Sequence, residues 1–344
     1  MKSVSIFLGL LAGLLFGIAT PLSKIVLLQF NSFQLAGLLY LGAALTFLPV
    51  TIKNRKIEIE ALRQSNKKKY LFGIILFGGI LGPLFFMIGL KTANAMSVSI
   101  WINMELAATA VLGVLIFKDQ LGRFAFLGVL LSLSAGVMAT FNESASGFVS
   151  GFFVLLACIS WGFDNNLTSI LDGISPQTIT FIKGVFGSIV NLTIGMFLSN
   201  FNITWEYIPY ALLIGVFSYG ISIVLFVITA QNLGATRGQV LFCTAPFWGI
   251  LASYFFLGEP ISIMIVVSFV LMVLSIILTN FTYHEHEHTH QSIVHVHYHS
   301  HNEGHHEHTH EGKAKDIKHS HLHEHTEIKH SHKHFPDIHH RHKH

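Results

Sequence analysis

Long apolar runs broken by short polar interruptions organise the first 281 residues. Ten runs are readable, at 4–22, 32–52, 70–90, 96–117, 122–140, 148–170, 177–198, 207–230, 238–257 and 261–281. Crossing a hydrocarbon core of ~30 Å takes roughly 20 apolar residues as helix. The pattern therefore predicts an all-α integral membrane protein of ten transmembrane helices. The first run is expected to be a span and not a signal peptide, because no cleavage-like segment follows it and nine further runs do. Beyond residue 281 the pattern changes to a polar tail with histidine at alternate positions.

The apolar part repeats itself. Leu90-Lys91-Thr92-Ala93-Asn94-Ala95, followed by a run ending Phe117-Lys118-Asp119, aligns at an offset of 140 with Ala230 to Ala235 and Phe256-Leu257-Gly258-Glu259. Phe16-Gly17 in the first run matches Trp161-Gly162 in the sixth at a nearby offset. Five spans per half is an odd number, so the halves lie in opposite orientations, an arrangement typical of alternating-access carriers with a site near the midplane. The expected units are a first five-helix repeat over 1–140, a second over 141–281, and a tail over 282–344.

Composition agrees with a membrane body and separates it from the tail. The chain is 51% hydrophobic and 11% charged, with a mean hydropathy of +0.57; soluble domains carry about 25% charge. The segment before His284 holds 14 Lys/Arg and 9 Asp/Glu, net +5, whereas the tail holds 7 and 9, net −2, and all 23 histidines. Lys2, Lys53, Arg55, Lys56, Arg63, Lys67, Lys68, Lys69, Lys118, Arg123 and Arg237 fall on one side of the predicted topology, against Lys91 and Lys24 on the other. Basic loops stay cytoplasmic, so both termini are expected in the cytoplasm and the chain in the plasma (inner) membrane. Cys158 and Cys243 sit in apolar runs and read as small buried hydrophobes. No phosphate-binding loop is present to drive ATP chemistry, because Gly89-Leu90-Lys91-Thr92 lacks the adjacent Gly-Lys pair. No nucleophile–base or metal-catalytic spacing survives in the core, which excludes an enzyme.

Several short motifs are similar to those of a known family. The Phe-Gly and Trp-Gly turns, Ala19-Thr20-Pro21-Leu22-Ser23-Lys24, and Thr244-Ala245-Pro246 leading to Leu257-Gly258-Glu259-Pro260 resemble the EamA-type transporters of the drug/metabolite transporter superfamily, over roughly residues 5–280. The tail, with Trp161 to Thr168, resembles a histidine-tailed subgroup. The resemblance implies ten helices around a central cavity and secondary transport of small organic solutes. Leu106 departs from it, standing where the first repeat would carry the proline matched by Pro246.

Polar groups inside apolar helices are costly and mark cavities or partners. Asp164 and Lys183 each lie ~9 Å from the same membrane face and could pair, and Glu105 lies ~13 Å deep, near the midplane. Trp101, Glu105 and Thr109 fall at i, i+4, i+8, a single helix face, and Trp161, Asp164, Asn165 and Thr168 form another. Aromatic faces carrying a few polar groups suit an amphipathic organic ligand, so these eight residues are the expected substrate-binding set. Desolvation of Glu105 would let it exchange a proton for substrate.

The tail offers imidazole in quantity. His284, His286, His288 and His290, then His295, His297 and His299, then His319, His321, His323 and His325, and finally His339, His340, His342 and His344 are candidate metal ligands. Imidazole suits Zn, Ni, Co and Cu. Few large apolar residues accompany it, so a disordered tail holding several labile sites is expected. At pH 6 roughly 17 of the imidazoles would be protonated, which makes pH sensing a competing use. The expected function is a multi-pass secondary exporter of small organic metabolites or drugs, requiring no cofactor, with a metal-binding cytoplasmic tail. The alternative is a divalent transition-metal efflux or metal-responsive transporter. Expected partners are the lipid bilayer, a small-molecule substrate and divalent transition metals, with no nucleic acid and a homodimer left open.

Overall fold

The computed structural model describes residues 2–64, 68–117, 123–171, 174–233 and 241–280, and in the tail 284–290, 293–299, 319–325 and 328–334. The apolar part is helical throughout the described residues. Its helices are α1 (Lys2–Val26), α2 (Ser32–Gln64), α3 (Lys68–Gly73), α4 (Gly82–Thr92), α5 (Ala95–Trp101), α6 (Met104–Phe117), α7 (Arg123–Thr140), α8 (Ser144–Ile170), α9 (Pro176–Leu198), α10 (Ile208–Ile214), α11 (Ser222–Leu233), α12 (Ala245–Leu257) and α13 (Ile263–Asn280). A π-helical segment, Ile74–Leu81, joins α3 to α4, and a second, Gly215–Ile221, joins α10 to α11. Among the described residues seven helical stretches are long and apolar enough to cross a membrane, and three shorter apolar helices span 126–140, 245–257 and 263–278. Ten apolar runs were expected; the three shorter helices correspond to the fifth, ninth and tenth of them.

Two departures from expectation have local causes. The basic connection after the second run is helical as far as Gln64, because residues 53–64 contain neither Gly nor Pro and half of them are Lys, Arg or Glu, all good helix formers. The tail was expected to be disordered. Four stretches of it are instead extended: β1 (His284–His290) pairs antiparallel with β4 (Ile328–His334), and β2 (Ile293–His299) with β3 (His319–His325). A period of two with Thr, Val, Ile and Tyr between histidines suits a strand, and the β1–β4 register sets Glu285 opposite Lys333.

Packing in the bundle depends on close backbone approach. Gly9, Gly13 and Gly17 of α1 lie against Leu241, Thr244 and Ala245, as a small-residue ridge should. Gly184 of α9 meets the Tyr40 carbonyl of α2, and Gly37 meets Leu192. The halves share their irregularities. The two π segments begin 141 positions apart, and the helices break at Ile102–Asn103 and again at Cys243–Thr244, also 141 apart. The first break occurs without proline. Asn103 N–H turns back to the Ile100 carbonyl and Glu105 N–H to that of Ile102, and the Cys158 thiol approaches the Trp101 and Ile102 carbonyls at 3.7 and 3.8 Å. Gly13 stands in the corresponding place in the second half, against the Leu241 and Phe242 carbonyls.

Candidate functional site

The two breaks meet at a small cavity lined by Phe16, Ile102, Asn103, Glu105, Leu106, Phe242, Cys243, Ala245 and Pro246. Residues from both halves and from α1 build it. Its one ionisable carboxyl is Glu105, in the first turn of α6 just past the break, where the positive end of the helix dipole favours a negative charge. The Asn165 amide of α8 donates to Glu105 Oε1 at 3.0 Å and to Thr109 Oγ1 at 3.2 Å. The Thr109 hydroxyl donates to the Glu105 carbonyl at 2.8 Å, and Asn166 Nδ2 reaches the Thr109 and Gly162 carbonyls. A polar seam thus runs between α6 and α8 behind the cavity.

The other expected residues form a second group. Lys183 Nζ lies 2.6 Å from Asp164 Oδ2, and the Thr168 hydroxyl donates to Asp164 Oδ1 at 3.3 Å. Asp164 is 3% exposed. A side chain at Gly78, in the first π segment, would collide with its carboxyl, and one at Gly79 would meet the Lys183 backbone. The Tyr40 hydroxyl donates to the Gly78 carbonyl at 2.6 Å. The pairing of Asp164 with Lys183 expected from their equal depth is therefore formed, and Gly78 and Gly79 of the first π segment lie against it.

The tryptophans lie elsewhere. The break at 102–103 separates Trp101 from the Glu105–Thr109 face, which corrects the expectation of one continuous face. Trp101 is 4% exposed and packs over Gly136 and Gly151. Trp161 packs against Gly82 and Phe86. Of the eight expected substrate-binding residues, Glu105 alone lines the cavity among the described residues; Thr109 and Asn165 stand directly behind it. Asn103, Phe242 and Cys243 were not singled out as site residues. Only the repeat offset could have suggested them, by matching two breaks that no proline pattern announces in the first half.

A second cluster closes one end of the bundle, at the turn between α4 and α5. Lys24 Nζ donates to the Leu90, Lys91 and Ala93 carbonyls at 2.6, 3.2 and 2.8 Å. Glu259 accepts from the Ala95 and Met96 N–H groups at 2.7 and 2.8 Å. Glu143 accepts from Asn94 N–H at 2.8 Å and from the Ser97 hydroxyl. The cation thus meets the carbonyl end of α4 and the carboxylates meet the amide end of α5, each the sign its helix end prefers. Burial pushes the Glu259 carboxyl up from its ordinary value, against the opposing pull of those two N–H groups.

Of the histidines expected to bind metal, His284, His286, His288, His290, His295, His297, His299, His319, His321, His323 and His325 occupy strand positions. His284 faces His334, His286 faces His332 and His297 faces His321 across the ladders. His339, His340, His342 and His344 lie outside the described residues.

The sequence profile of the EamA-like transporter family matches residues 3–141 and 149–281. An uncharacterized transporter of Methanothermobacter thermautotrophicus is 31% identical over 281 residues, covering 76% of this chain and 81% of the relative. The uncharacterized transporter YyaM of Bacillus subtilis is 26% identical over 296 residues, covering 80% and 94%. A solved crystal structure has the same fold at a TM-score of 0.59 and 14% identity, covering 81% of this chain and 98% of its own. With both halves matched, the chain belongs to the EamA-like transporter family and is a multi-pass membrane protein.

Proposed function

We propose that the protein is a secondary exporter of small organic solutes, working by alternating access around the cavity at the two helix breaks. The observation that carries this reading is the meeting of matched breaks, 102–103 and 243–244, at one carboxyl-bearing cavity. Interrupted helices at the midplane of two inverted repeats are where carriers hold their substrates. In this reading the chain crosses a plasma membrane ten times, with both termini cytoplasmic and the Lys24–Glu143–Glu259 cluster at the outer end. Glu105 couples transport to protons. Asp164, Lys183, Thr168, Trp161 and Trp101 shape the helices around the path, while Thr109 and Asn165 orient the carboxyl. The tail binds divalent ions such as Zn, Ni, Co or Cu through its histidines and tunes the carrier. Metal as cargo is the weaker reading, because the sequence before His284 contains no histidine and only two cysteines, Cys158 and Cys243, far apart in the chain.

The test is proton-gradient-driven solute movement in vesicles. Glu105→Gln is expected to abolish coupled transport while leaving the protein folded. Transport by Glu105→Gln that matches the native protein at every pH would overturn the role of this residue.

A further inference from the structure

We infer that the cavity takes a small organic cation with an aromatic or aliphatic body, and that the Glu105 carboxylate is its counter-ion. This rests on the reading of the cavity as the substrate site and adds the charge of the substrate to it. The first support is a carboxyl with no cationic side chain paired to it among the described residues. Among the described residues the Glu105 side chain receives one hydrogen bond, from the neutral Asn165 amide. Lys183, the cation nearest in kind, is held by Asp164 at 2.6 Å. Lys24 is occupied by three carbonyls at the end of the bundle. Among the described residues no Lys, Arg or His lines the cavity.

The walls point the same way. The Phe16 and Phe242 rings meet with centroids 5.2 Å apart; Phe242 continues to Phe226 at 4.9 Å and Phe16 to Tyr219 at 5.9 Å. Aromatic faces carry negative charge density and attract cations. Ile102, Leu106 and Pro246 supply apolar contact for the body of the ligand. An anion would meet a carboxylate beside aromatic walls, whereas a neutral solute would leave that carboxylate without a counter-ion. The opposing influences are the amide ends of α6 at Met104 and of α12 at Ala245, each about half a positive charge that falls off within the first turn. Glu105 is the one full charge among the described residues that line the cavity.

The test uses the full-length protein in lipid nanodiscs and three probes of one size: benzyltrimethylammonium, benzyl alcohol and benzoate. Cys243 lines the cavity, so alkylation of Cys243 by a small thiol reagent, read by peptide mass spectrometry, reports occupancy. At about 90% occupancy the cation is expected to slow alkylation about tenfold, with little effect from the alcohol or benzoate. If Cys243 does not react in the unliganded protein, the same three probes are compared by their shift in melting temperature. Glu105→Gln is expected to lose the preference for the cation. Glu105→Asp, which shortens the side chain and keeps the carboxylate, is expected to retain a preference for the cation, so a poorly folding Gln variant leaves the proposal testable. Equal protection by all three probes, or a cation preference that survives Glu105→Gln, overturns the inference. A cation that protects Cys243 but is not moved across vesicles would instead count against the transport reading alone.

Discussion

Asp164 and Gly78 share one small space. The carboxyl occupies the position a Cβ on residue 78 would need, so Gly78→Ala must displace a charged group already paired with Lys183. Overpacking of this kind costs about 1–3 kcal/mol, and thermal unfolding in detergent should show the loss. Removing one member of a buried ion pair is more damaging, about 3–5 kcal/mol, because the survivor is left uncompensated. Lys183→Met should therefore unfold far more readily than the native protein. The double variant Asp164→Asn with Lys183→Met should recover most of the loss, and double-variant transport near the native rate would assign the pair to packing. The depth of both residues was readable from their positions in the apolar runs. The glycine wall that encloses them was not, because Gly78 and Gly79 are far from Asp164 in sequence.

At the level of elements, the end of the bundle is fastened by charges on helix ends. Glu259 follows α12 past Gly258, whose φ of +65° ends the helix in the left-handed conformation that glycine adopts without strain. That turn delivers the carboxylate to the amide end of α5, which runs from there to the cavity. Burial raises the Glu259 carboxyl above its unfolded value of 4.5, so the folded protein holds this proton more tightly than the unfolded chain does. Its contribution to stability is present below 4.5 and is lost as pH rises through the raised value. Glu259→Gln should flatten that part of the melting-temperature profile, and a native profile identical to that of the Gln variant would refute the assignment. The Leu-Gly-Glu-Pro motif was legible in the sequence, whereas its partners on α5 depend on how the halves pack.

For the whole molecule, the sharp boundary near residue 281 predicts separable parts. A version ending at Asn280 should move organic solute at the native rate and lose zinc binding, measured by competition with a chromophoric chelator. Loss of transport on truncation would make the tail part of the carrier itself. The paired strands add a refinement: a tail that pairs His286 with His332 brings histidines 46 positions apart in the chain to one register.

Hydrophobic runs, basic loops and repeated motifs settle locally, which is why a helical membrane protein and its family resemblance could be read from the chain alone. A continuous apolar helix and a broken one have the same composition, so the turn at Ile102–Asn103 left no mark that the sequence could display. Tertiary packing decided it, because Cys158 of a distant helix approaches the carbonyls near that turn. The same packing brought Phe16, Glu105 and Phe242 around one cavity and carried Trp101 away from it. Those placements depend on which backbones approach closely, a property of pairs of helices and not of any one run of residues.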